Sequence, residues 1–390
     1  MRIAFAMINC NRRDGSARPV NEVAERLARK GHEVHLFARK AEDLDLGLVR
    51  WHRIPGPGWP EVADFSSYHL LANRRFRHRE FDVVHSIGCN TVHADVVTIQ
   101  NIQPAKQEII RQFGGAGRVS PPRQFTRWLY HLRTCAAEKA LYNRGGTGKP
   151  LVFLPVSHGV ERELRRFYAI GSSPVRIIPN AADTGKFRPL EPGARVAWRV
   201  GNGFAPTDFL AIFSGGEWAR KGLEPAIRAI ASIDDPRAKL FVAGDDPGRR
   251  RFHQLAAGLG VADRVRFGGF RTDIAEVLGA GDVFLFPSHY EAFSLATIEA
   301  SACGLPVFAP QINGTEDLIR PGVNGDFIAR DPLSIGACLR ELMARPDAVR
   351  DMGVNARRIV EENYTWDRVA MLTEEAYTGS VELRKEARET

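Results

Sequence analysis

The sequence of 390 residues has no uninterrupted apolar run near the ~18 residues that a membrane-spanning helix needs. Its five cysteines are scattered, and none lies in a Cys-x-x-Cys pair, so their spacing supports neither a zinc cage nor a disulfide framework. The apolar start, residues 1–8, is too short for the core of a signal peptide and fits a first buried strand. We therefore expect a soluble protein of the reducing cytoplasm.

The charge of the chain is unevenly distributed. Residues 1–190 carry 30 Lys and Arg against 17 Asp and Glu, whereas the remainder carries 24 against 29, which gives the overall net charge of +8. A basic first half favours an anionic membrane surface or an acidic acceptor as a partner, and a solvated basic face is the alternative. Peripheral binding to the inner face of the cytoplasmic membrane is one expectation. Nucleic acid is not expected, because no recognition motif accompanies the charge.

Apolar strand candidates alternate with helical stretches from end to end, and the length favours two domains. This pattern predicts an α/β protein with two doubly wound parallel sheets. The Pro- and Gly-punctuated stretch 188–193 marks the hinge, so we place the domains at 1–187 and 188–365. The predicted strands are 2–8, 33–38, 49–54, 83–85, 96–99, 151–155, 175–178, 210–213, 239–243, 264–267, 283–286 and 307–309.

Two carboxylates, Glu291 and Glu299, are the most informative pair in the sequence. The predicted strand 283–286 ends before the loop that carries Glu291, and a helix of small residues begins near Ser294 and contains Glu299. The first acid is therefore expected at the carboxyl end of a strand and the second on the following helix. That edge of an open α/β sheet is where nucleotides and sugars bind.

A basic pair, Arg220 and Lys221, precedes Gly222 and another predicted helix. A buried diphosphate needs cations or backbone donors around it, because its charge is costly to bury unpaired. The pair is therefore a candidate diphosphate site. The alternative is a pair of cations at a helix start that only faces water, although cations are mildly unfavourable there.

These motifs, in this order, resemble the retaining GT-B glycosyltransferases of the family-4 type, and within them the lipopolysaccharide core glucosyltransferases. The resemblance implies a GT-B fold, in which two Rossmann-like domains face each other across a cleft. It further implies that 1–187 is the acceptor side, that 188–365 binds the nucleotide-sugar donor, and that a final helix, 366–390, packs back on the first domain. The matching segments are 31–34, 81–85, 177–183, 215–223, 242–244, 265–269 and 291–299.

The resemblance also assigns roles to the residues singled out above. Lys221 would contact the donor phosphates with Arg220 beside it, and Glu291 would contact hydroxyls of the donor sugar. The family is thought to retain the anomeric configuration by front-side attack, in which the departing diphosphate takes the acceptor's proton. On that scheme Lys221, Arg220 and Glu291 carry the catalysis by positioning and charge stabilisation, without a covalent nucleophile.

Further donor contacts follow from the same resemblance. Glu299 would accept the ribose hydroxyls, the backbone amides at the following helix start would bind sugar or phosphate, and the base would lie near the end of the strand 264–267. Many members of the family have an early glycine-rich turn, of which only Gly15 is present here. Gly216 stands where some members have a second phosphate-binding arginine. Asn101 and Gln100 occupy the place where members commonly have a histidine near the sugar. The remaining donor-contact residues are Phe293, Ser294, Leu295, Phe270 and Arg271.

The resulting functional hypothesis is transfer of a hexose from a nucleotide-sugar, with UDP as the expected nucleotide, to a glycan or lipid acceptor of the cell envelope or membrane. No cofactor is expected. No metal is expected either, because the only Asp-x-Asp segment, residues 43–45, lies in a polar stretch away from the donor motifs. The alternatives are a nucleotide-sugar epimerase, a phosphorylase, and a non-catalytic partner subunit that retains the nucleotide-sugar site.

Overall fold

The computed structural model describes residues 1–389 apart from 13, 14, 16, 77–79, 114–120 and 145–150. The strands are β1 (Arg2–Ala6), β2 (Asn9–Cys10), β3 (Glu33–Ala38), β4 (Lys40–Ala41), β5 (Val49–Arg53), β6 (Val83–Ile87), β7 (Val96–Ile99), β8 (Val152–Pro155), β9 (Phe209–Ser214), β10 (Ala238–Ala243), β11 (Val265–Gly269), β12 (Val283–Leu285), β13 (Val307–Ala309) and β14 (Gly325–Phe327). The helices are α1 (Arg18–Arg29), α2 (Glu61–Phe76), α3 (Gln103–Phe113), α4 (Pro121–Tyr142), α5 (His158–Phe167), α6 (Pro192–Gly201), α7 (Leu223–Ala231), α8 (Arg249–Gly258), α9 (Ile274–Ala280), α10 (Leu295–Ala302), α11 (Thr315–Leu318), α12 (Pro332–Met343), α13 (Pro346–Asn363) and α14 (Trp366–Glu389).

The chain divides into two compact units. Unit 1 comprises Met1–Asn180 together with Trp366–Thr390, and unit 2 comprises Ala181–Thr365. The boundary lies after Asn180 and not at residue 187, as the sequence led us to expect, because the residues that follow Asn180 are hydrogen-bonded within unit 2. The amide of Ala182 donates to the carbonyl of Tyr364 over 3.0 Å, and the buried Phe187 accepts from Arg357 Nη1 over 2.5 Å.

Unit 1 is built on a six-stranded sheet in the order β5-β3-β1-β6-β7-β8, and the paired strands are parallel. The central strand β1 is buried from its second residue onward, which is the pattern of a parallel strand covered by helices on both faces. Leaving aside the short pair β2–β4, this order is that of a Rossmann fold. The sequence therefore predicted the architecture of this unit correctly.

Unit 2 repeats the same plan, with the strand order β11-β10-β9-β12-β13-β14 and parallel pairing throughout the described ladder. In both units the direction of winding reverses beside the first strand of the sheet, between β1 and β6 or between β9 and β12. Loops that leave the carboxyl ends of strands at such a switch point form a crevice for ligands.

One predicted strand is wrong. Residues 175–178 form only an isolated bridge, from Val175 to Phe153 on β8. The amides of Arg176 and Ile178 do donate to carbonyls of β8, over 2.9 and 3.1 Å. The ladder stops because Pro155 at the end of β8 has no N–H to return a bond.

The helix α14 belongs to unit 1, where it packs against α1. Its Tyr377 is fully buried and shares a 2.7 Å hydrogen bond with Nδ1 of His85 on β6. Exposed ion pairs from Lys30 to Glu374 and from Arg26 to Asp367 add to this contact. Within the described part of the chain, no helix is both long enough and apolar enough to cross a membrane.

Candidate functional site

The candidate site of unit 2 is formed by two loops at its switch point. Residues 215–222 follow β9 and residues 286–294 follow β12, and these strands are neighbours, with Phe284 paired to Ile212. Parallel neighbours end at the same edge of the sheet, so the loops meet there. The amide of His289 donates to the carbonyl of Arg220 over 2.9 Å, which joins the two loops directly.

Lys221 lies between a carboxylate and an aromatic ring. Its Nζ is 3.5 Å from Oε1 of Glu291 and 4.7 Å from the centre of the Phe286 ring. Its side chain is 13% exposed and that of Glu291 is 11% exposed, so water screens the pair only partly. Gly215 has a φ of +130°, and a Cβ there would come within 2.8 Å of Cε of Lys221. Glycine at this position therefore lets the lysine lie flat on the backbone.

Arg220 holds the second loop in place. Its Nη1 lies 3.1 Å from Oε1 of Glu291 and also donates to the carbonyl of Tyr290, while its Nη2 lies 2.8 Å from Oε2 of Glu217. Burial by itself would lower the pKa of Arg220, but Glu291 and Glu217 together raise it above its usual value. The structure therefore gives Arg220 a positioning role toward Glu291, in addition to the positive charge expected from sequence.

Gly222 fixes the approach of the two loops. It precedes α7 with a φ of +79°, and a Cβ there would lie 2.1 Å from the carbonyl oxygen of Pro287. Any other residue would push the loop of Lys221 away from the loop of Glu291. The close approach that glycine permits is thus part of the geometry of the site.

Glu299 lies in the middle of α10 and is 8% exposed. Ser294, at the N-cap position of this helix, makes no side-chain capping bond. The start of α10 immediately follows the loop that carries Glu291, and a helix N-terminus favours a negatively charged ligand. Burial, assisted by the negative charge of Glu299, raises the pKa of Cys303 to about 12, which keeps that thiol protonated.

Packing of Phe293 fixes the position of the predicted ligand-contact residues at the start of α10. The side chain of Phe293 is 3% exposed and meets Tyr364 edge to face with 5.5 Å between ring centres. A Cβ at Gly314 would lie 2.5 Å from the Phe293 ring, so glycine is required beside it. Phe293 therefore anchors the loop, and the ligand contacts predicted for it would come from its backbone, with that of Ser294 and Leu295.

The other predicted residues of unit 2 lie in the loops after β9 and β11. Gly216 follows the end of β9, and a Cβ there would come within 3.3 Å of the carbonyl oxygen of Asp245. Phe270 is 79% exposed. Arg271 binds Asp273 through Nε over 2.7 Å, and this hydrogen bond lowers the pKa of Asp273. Arg271 thus has an acidic partner at the start of α9, whatever else it contacts.

The two predicted residues of unit 1 lie in different loops, Gly15 between β2 and α1 and Asn101 after β7. Gly15 is an exposed turn residue. Asn101 follows β7 and lines a cavity of about 540 Å³ with Gln100 and Gln103. His85 on β6 is buried between Tyr377 and Thr98, and burial lowers its pKa to about 3. It is a neutral core histidine.

Three contributors were missed from sequence. Ser288 Oγ lies 3.2 Å from Oε1 of Glu291, Phe286 lies beneath Lys221, and Arg330 Nε donates to the carbonyl of Ser288 over 3.2 Å. The first two stand at the end of a predicted strand, where side chains reach the ligand edge, so their position was a usable signal. Arg330 lies far from this loop in the sequence, so no local sequence pattern could have linked the two. Among the described residues, no three His, Cys, Asp or Glu side chains are arranged to hold a metal ion.

Two family profiles cover consecutive parts of the chain. The one described as Glycosyl transferases group 1 matches residues 195–359, and the one described as Glycosyltransferase Family 4 matches residues 13–186. With two Rossmann-like units and these loops at the switch point, the fold is that of a GT-B protein. The chain belongs to the GT-B glycosyltransferases of the family-4 type.

Individual relatives agree with this assignment. The D-inositol 3-phosphate glycosyltransferase of Geodermatophilus obscurus is 34% identical over 57% of this chain, and the chain spans about half (51%) of its length. Lipopolysaccharide glucosyltransferase WaaG of Escherichia coli is 24% identical over 93% of this chain and 94% of its own. The crystal structure of WaaG matches with a TM-score of 0.76, at 22% identity over 96% of this chain and 98% of that one. Anabaena HepE, solved with UDP and glucose, matches with a TM-score of 0.71, at 18% identity over 97% of this chain and 100% of its own.

Proposed function

We propose that the chain transfers a hexose from a UDP-sugar, with retention of configuration, to a glycan or lipid acceptor of the cell envelope or membrane. The observation that carries the proposal is the cluster of Lys221, Arg220 and Glu291 at the switch point of unit 2. It places positive charge beside the start of α10, where a helix terminus also attracts phosphate. In this proposal Glu291 accepts hydrogen bonds from the sugar hydroxyls, and Glu299 accepts them from the ribose hydroxyls.

The chemistry needs little from the protein beyond charge and position. The acceptor oxygen bonds to the anomeric carbon, the bond from that carbon to the phosphate oxygen breaks, and the acceptor's proton passes to the departing diphosphate. Lys221 stabilises the negative charge that builds on the diphosphate. Glu291, held by Arg220 and Ser288, orients the sugar. On this proposal no resident metal takes part, so added EDTA should leave the rate unchanged.

Three relatives support the finer parts of the proposal. HepE was solved with UDP and glucose, which favours UDP as the nucleotide. WaaG is named for glucosyl transfer to lipopolysaccharide, which favours a cell-envelope acceptor. The D-inositol 3-phosphate glycosyltransferases are named for an inositol phosphate, and a cyclitol therefore joins the envelope extracts as an acceptor in the screen below.

Peripheral membrane binding is proposed through α4. Its side chains Phe125, Trp128 and Leu132 are 59%, 55% and 50% exposed, and the Phe125 and Trp128 rings stack with 5.9 Å between centres. Arg123 and Arg127 on the same helix are exposed as well. Exposed aromatics beside arginines fit the headgroup region of an anionic bilayer.

The test is nucleotide binding followed by transfer. Calorimetry with UDP, GDP, ADP and TDP should give tightest binding for UDP, and Glu299→Gln should weaken UDP binding at least tenfold through the lost ribose contact. Glu276→Gln, an exposed acid on α9, is the matched control and should change nothing. A UDP-sugar screen with envelope extracts as acceptor, followed by NMR of the new glycosidic bond, then tests transfer and retention.

Each outcome has a clear reading. UDP binding that is unchanged in Glu299→Gln would contradict the assigned site. Conversion of the UDP-sugar into a different UDP-sugar, without an acceptor, would show an epimerase instead. Binding without any turnover across the screen, while a partner protein restores transfer even after Lys221 is replaced, would show a non-catalytic subunit.

A further inference from the structure

Unit 2 contains a cavity of about 410 Å³ at the edge of its sheet opposite the loops 215–222 and 286–294. Its lining includes Phe209, Asp282 and Leu305, which stand at or just before the first residues of β9, β12 and β13. In a parallel sheet the amino ends of neighbouring strands share one edge, and the loops that follow the strands lie at the other. The cavity is therefore separate from the candidate donor site.

Most of the cavity wall is apolar. Leu190, Leu305, Val349 and Val354 contribute to it, and four of the lining residues are glycines, which offer backbone and no side chain. Val354 is 69% exposed, which places it at the mouth. The volume lies within the ~300–1,000 Å³ range of small-molecule sites, and such sites combine apolar walls with a few polar groups.

Arg195 on α6 supplies an accessible cation to this wall. Its side chain is 36% exposed, and its hydrogen bonds to the carbonyl of Gly281 over 3.0 Å and to Oδ1 of Asp282 over 2.5 Å both come from Nη2. Within the described part of the chain, Nε and Nη1 of Arg195 make no hydrogen bond, and both atoms remain accessible. Of the five N–H donors of a guanidinium, those on Nε and Nη1 are thus left for a ligand.

The charges around the cavity favour an anion. Asp282 is the one acid among the described residues that line it, and its Oδ2 also accepts from the buried Arg199 over 2.8 Å. One carboxylate therefore serves two guanidinium groups, Arg195 and Arg199. Arg350 lines the same cavity, and its exposed ion pair with Asp347 is weakened by water. A ligand with a negatively charged group would balance this local excess of positive charge.

We propose that this cavity binds a small amphiphilic anion, with its carboxylate or phosphate on Arg195 and its hydrocarbon body against Leu190, Val349 and Val354. The apolar body supplies affinity by leaving water, and the charged hydrogen bonds to Arg195 fix its orientation. This site lies beyond the proposed function, because it takes neither the donor nor the acceptor of that reaction. The anion and UDP bind independently, since their sites lie at opposite edges of one sheet.

The binding test uses the whole protein, with and without saturating UDP. Calorimetry is recorded with octanoate, octyl phosphate, octylammonium and acetate. We expect both eight-carbon anions to bind, with the same affinity in the presence of UDP. The tighter of the two identifies the head group that Arg195 prefers. Octylammonium should bind about tenfold more weakly or less, because its charge is repelled, and acetate should give no binding, because it lacks the apolar body.

Two variants locate the bound anion. Arg195→Gln should weaken octanoate binding about tenfold, the loss of a charge-assisted hydrogen bond. Arg228→Gln is its matched control, since Arg228 on α7 is also partly exposed and paired with an acid, Glu224. Val354→Trp should narrow the mouth and weaken binding about fivefold by overpacking.

Leu333→Trp is the control for the second variant, because Leu333 is likewise 69% exposed but lies outside the cavity lining. Val354→Trp decides the matter if Arg195→Gln lowers the Tm. Absence of binding by either anion, displacement of octanoate by UDP, or binding that is unchanged in both Arg195→Gln and Val354→Trp would overturn the proposal. A failure of the proposed function would appear instead as UDP binding that does not depend on Glu299.

Discussion

Lys221 Nζ and Glu291 Oε1 lie 3.5 Å apart, although the two residues come from loops that follow different strands. The lysine therefore has a carboxylate partner before any diphosphate is bound. A donor diphosphate would share that cation with Glu291, and the sugar next to it would lie within reach of the same carboxylate. One ion pair thus joins the proposed phosphate and sugar contacts.

Lys221→Met should lower kcat/KM for transfer about 10²–10³-fold, the usual effect of removing one preorganised donor from a developing anion. UDP binding should weaken less, because the start of α10 remains. The measurement is steady-state kinetics with direct UDP titration. Lys186→Met is the matched control, since Lys186 also lies over an aromatic ring, 5.4 Å from the centre of Phe187, but outside the site. Equal losses in the two variants would contradict the role given to Lys221.

Glu291→Gln separates the two roles of that ion pair. Removal of the negative charge leaves Lys221 and Arg220 less neutralised, so UDP should bind as tightly as in the wild type or a few-fold more tightly. Transfer should nevertheless fall, because the sugar loses a charged hydrogen-bond acceptor. Calorimetry and transfer rates measured on the same sample check both signs. Weaker UDP binding together with unchanged transfer would refute the assignment.

Gly222→Ala should destabilise unit 2 strongly. The new methyl group would lie 2.1 Å from the carbonyl oxygen of Pro287 at a φ of +79°, so strain and overlap add, and we expect a loss of more than about 3 kcal/mol. Gly203→Ala is the control, because Gly203 has a φ of +81° and nothing within 4 Å of the added atom. That change should cost only about 1–2 kcal/mol, the strain of an L-residue in the left-handed region. Thermal unfolding of both variants makes the comparison, and similar Tm values would show that the close approach is not needed.

Glu138 should make unit 1 less stable as pH rises. Burial raises its pKa to about 7, above that of an unfolded glutamate, and its bonds to Tyr168 and Gln103 only partly oppose this. Between about pH 4.5 and 7, Glu138 is protonated in the folded state but ionised in the unfolded state, so folding takes up a proton. The free energy of unfolding therefore falls as pH rises through that range. Between pH 5.5 and 8 the loss should be about 2 kcal/mol. Buried histidines such as His85 titrate with the opposite sign, so the wild type alone cannot isolate this effect.

Glu138→Gln provides the comparison. The variant should lose less stability than the wild type between pH 5.5 and 8, because the glutamine has no proton to release. Urea unfolding, followed at both pH values, measures the difference. An identical pH dependence in the two proteins would mean that Glu138 is ionised in the folded state throughout this range.

Phe125→Ser with Trp128→Ser should weaken binding to phosphatidylglycerol-containing vesicles at least tenfold, because a buried aromatic side chain contributes roughly 1.5–3 kcal/mol. Added salt should weaken the remaining electrostatic attraction. Sedimentation with vesicles measures both effects, and pure phosphatidylcholine vesicles test the need for anionic lipid. Leu333→Ser, at a 69% exposed position of unit 2, is the control. Equal binding of all variants would exclude α4 as the membrane surface.

The sequence was sufficient for most of the fold, because parallel strands covered on both faces are uninterrupted apolar runs bounded by turns. It failed at residues 175–178, where the missing N–H of Pro155 decided the outcome. It also placed the domain boundary near the Pro- and Gly-rich stretch 188–193, whereas long-range bonds from Ala182 and Phe187 set it at Asn180. Bonds between distant segments leave no local pattern.

The sequence selected candidate residues for the site, but it could not predict their contacts with one another. Spacing and order were enough to select Lys221, Glu291 and Glu299. They could not show that Arg220 is engaged by Glu291, Glu217 and Tyr290, because that depends on how two loops meet. The same is true of Phe293, whose ring is turned into the core against Tyr364. Arg330 reaches the loop from beyond β14, and no sequence signal indicated it.

The position of helix α14 at the end of the chain determines the order in which the two units can fold during translation. Unit 1 is discontinuous, since Trp366–Thr390 emerges from the ribosome only after the whole of Ala181–Thr365. Tyr377 cannot reach His85 before then, nor can Arg384 form its 3.2 Å ion pair with Asp95. Nascent chains usually fold from the amino terminus onward. Here unit 2 can complete its fold during translation before unit 1, because the final helix of unit 1 is synthesised last.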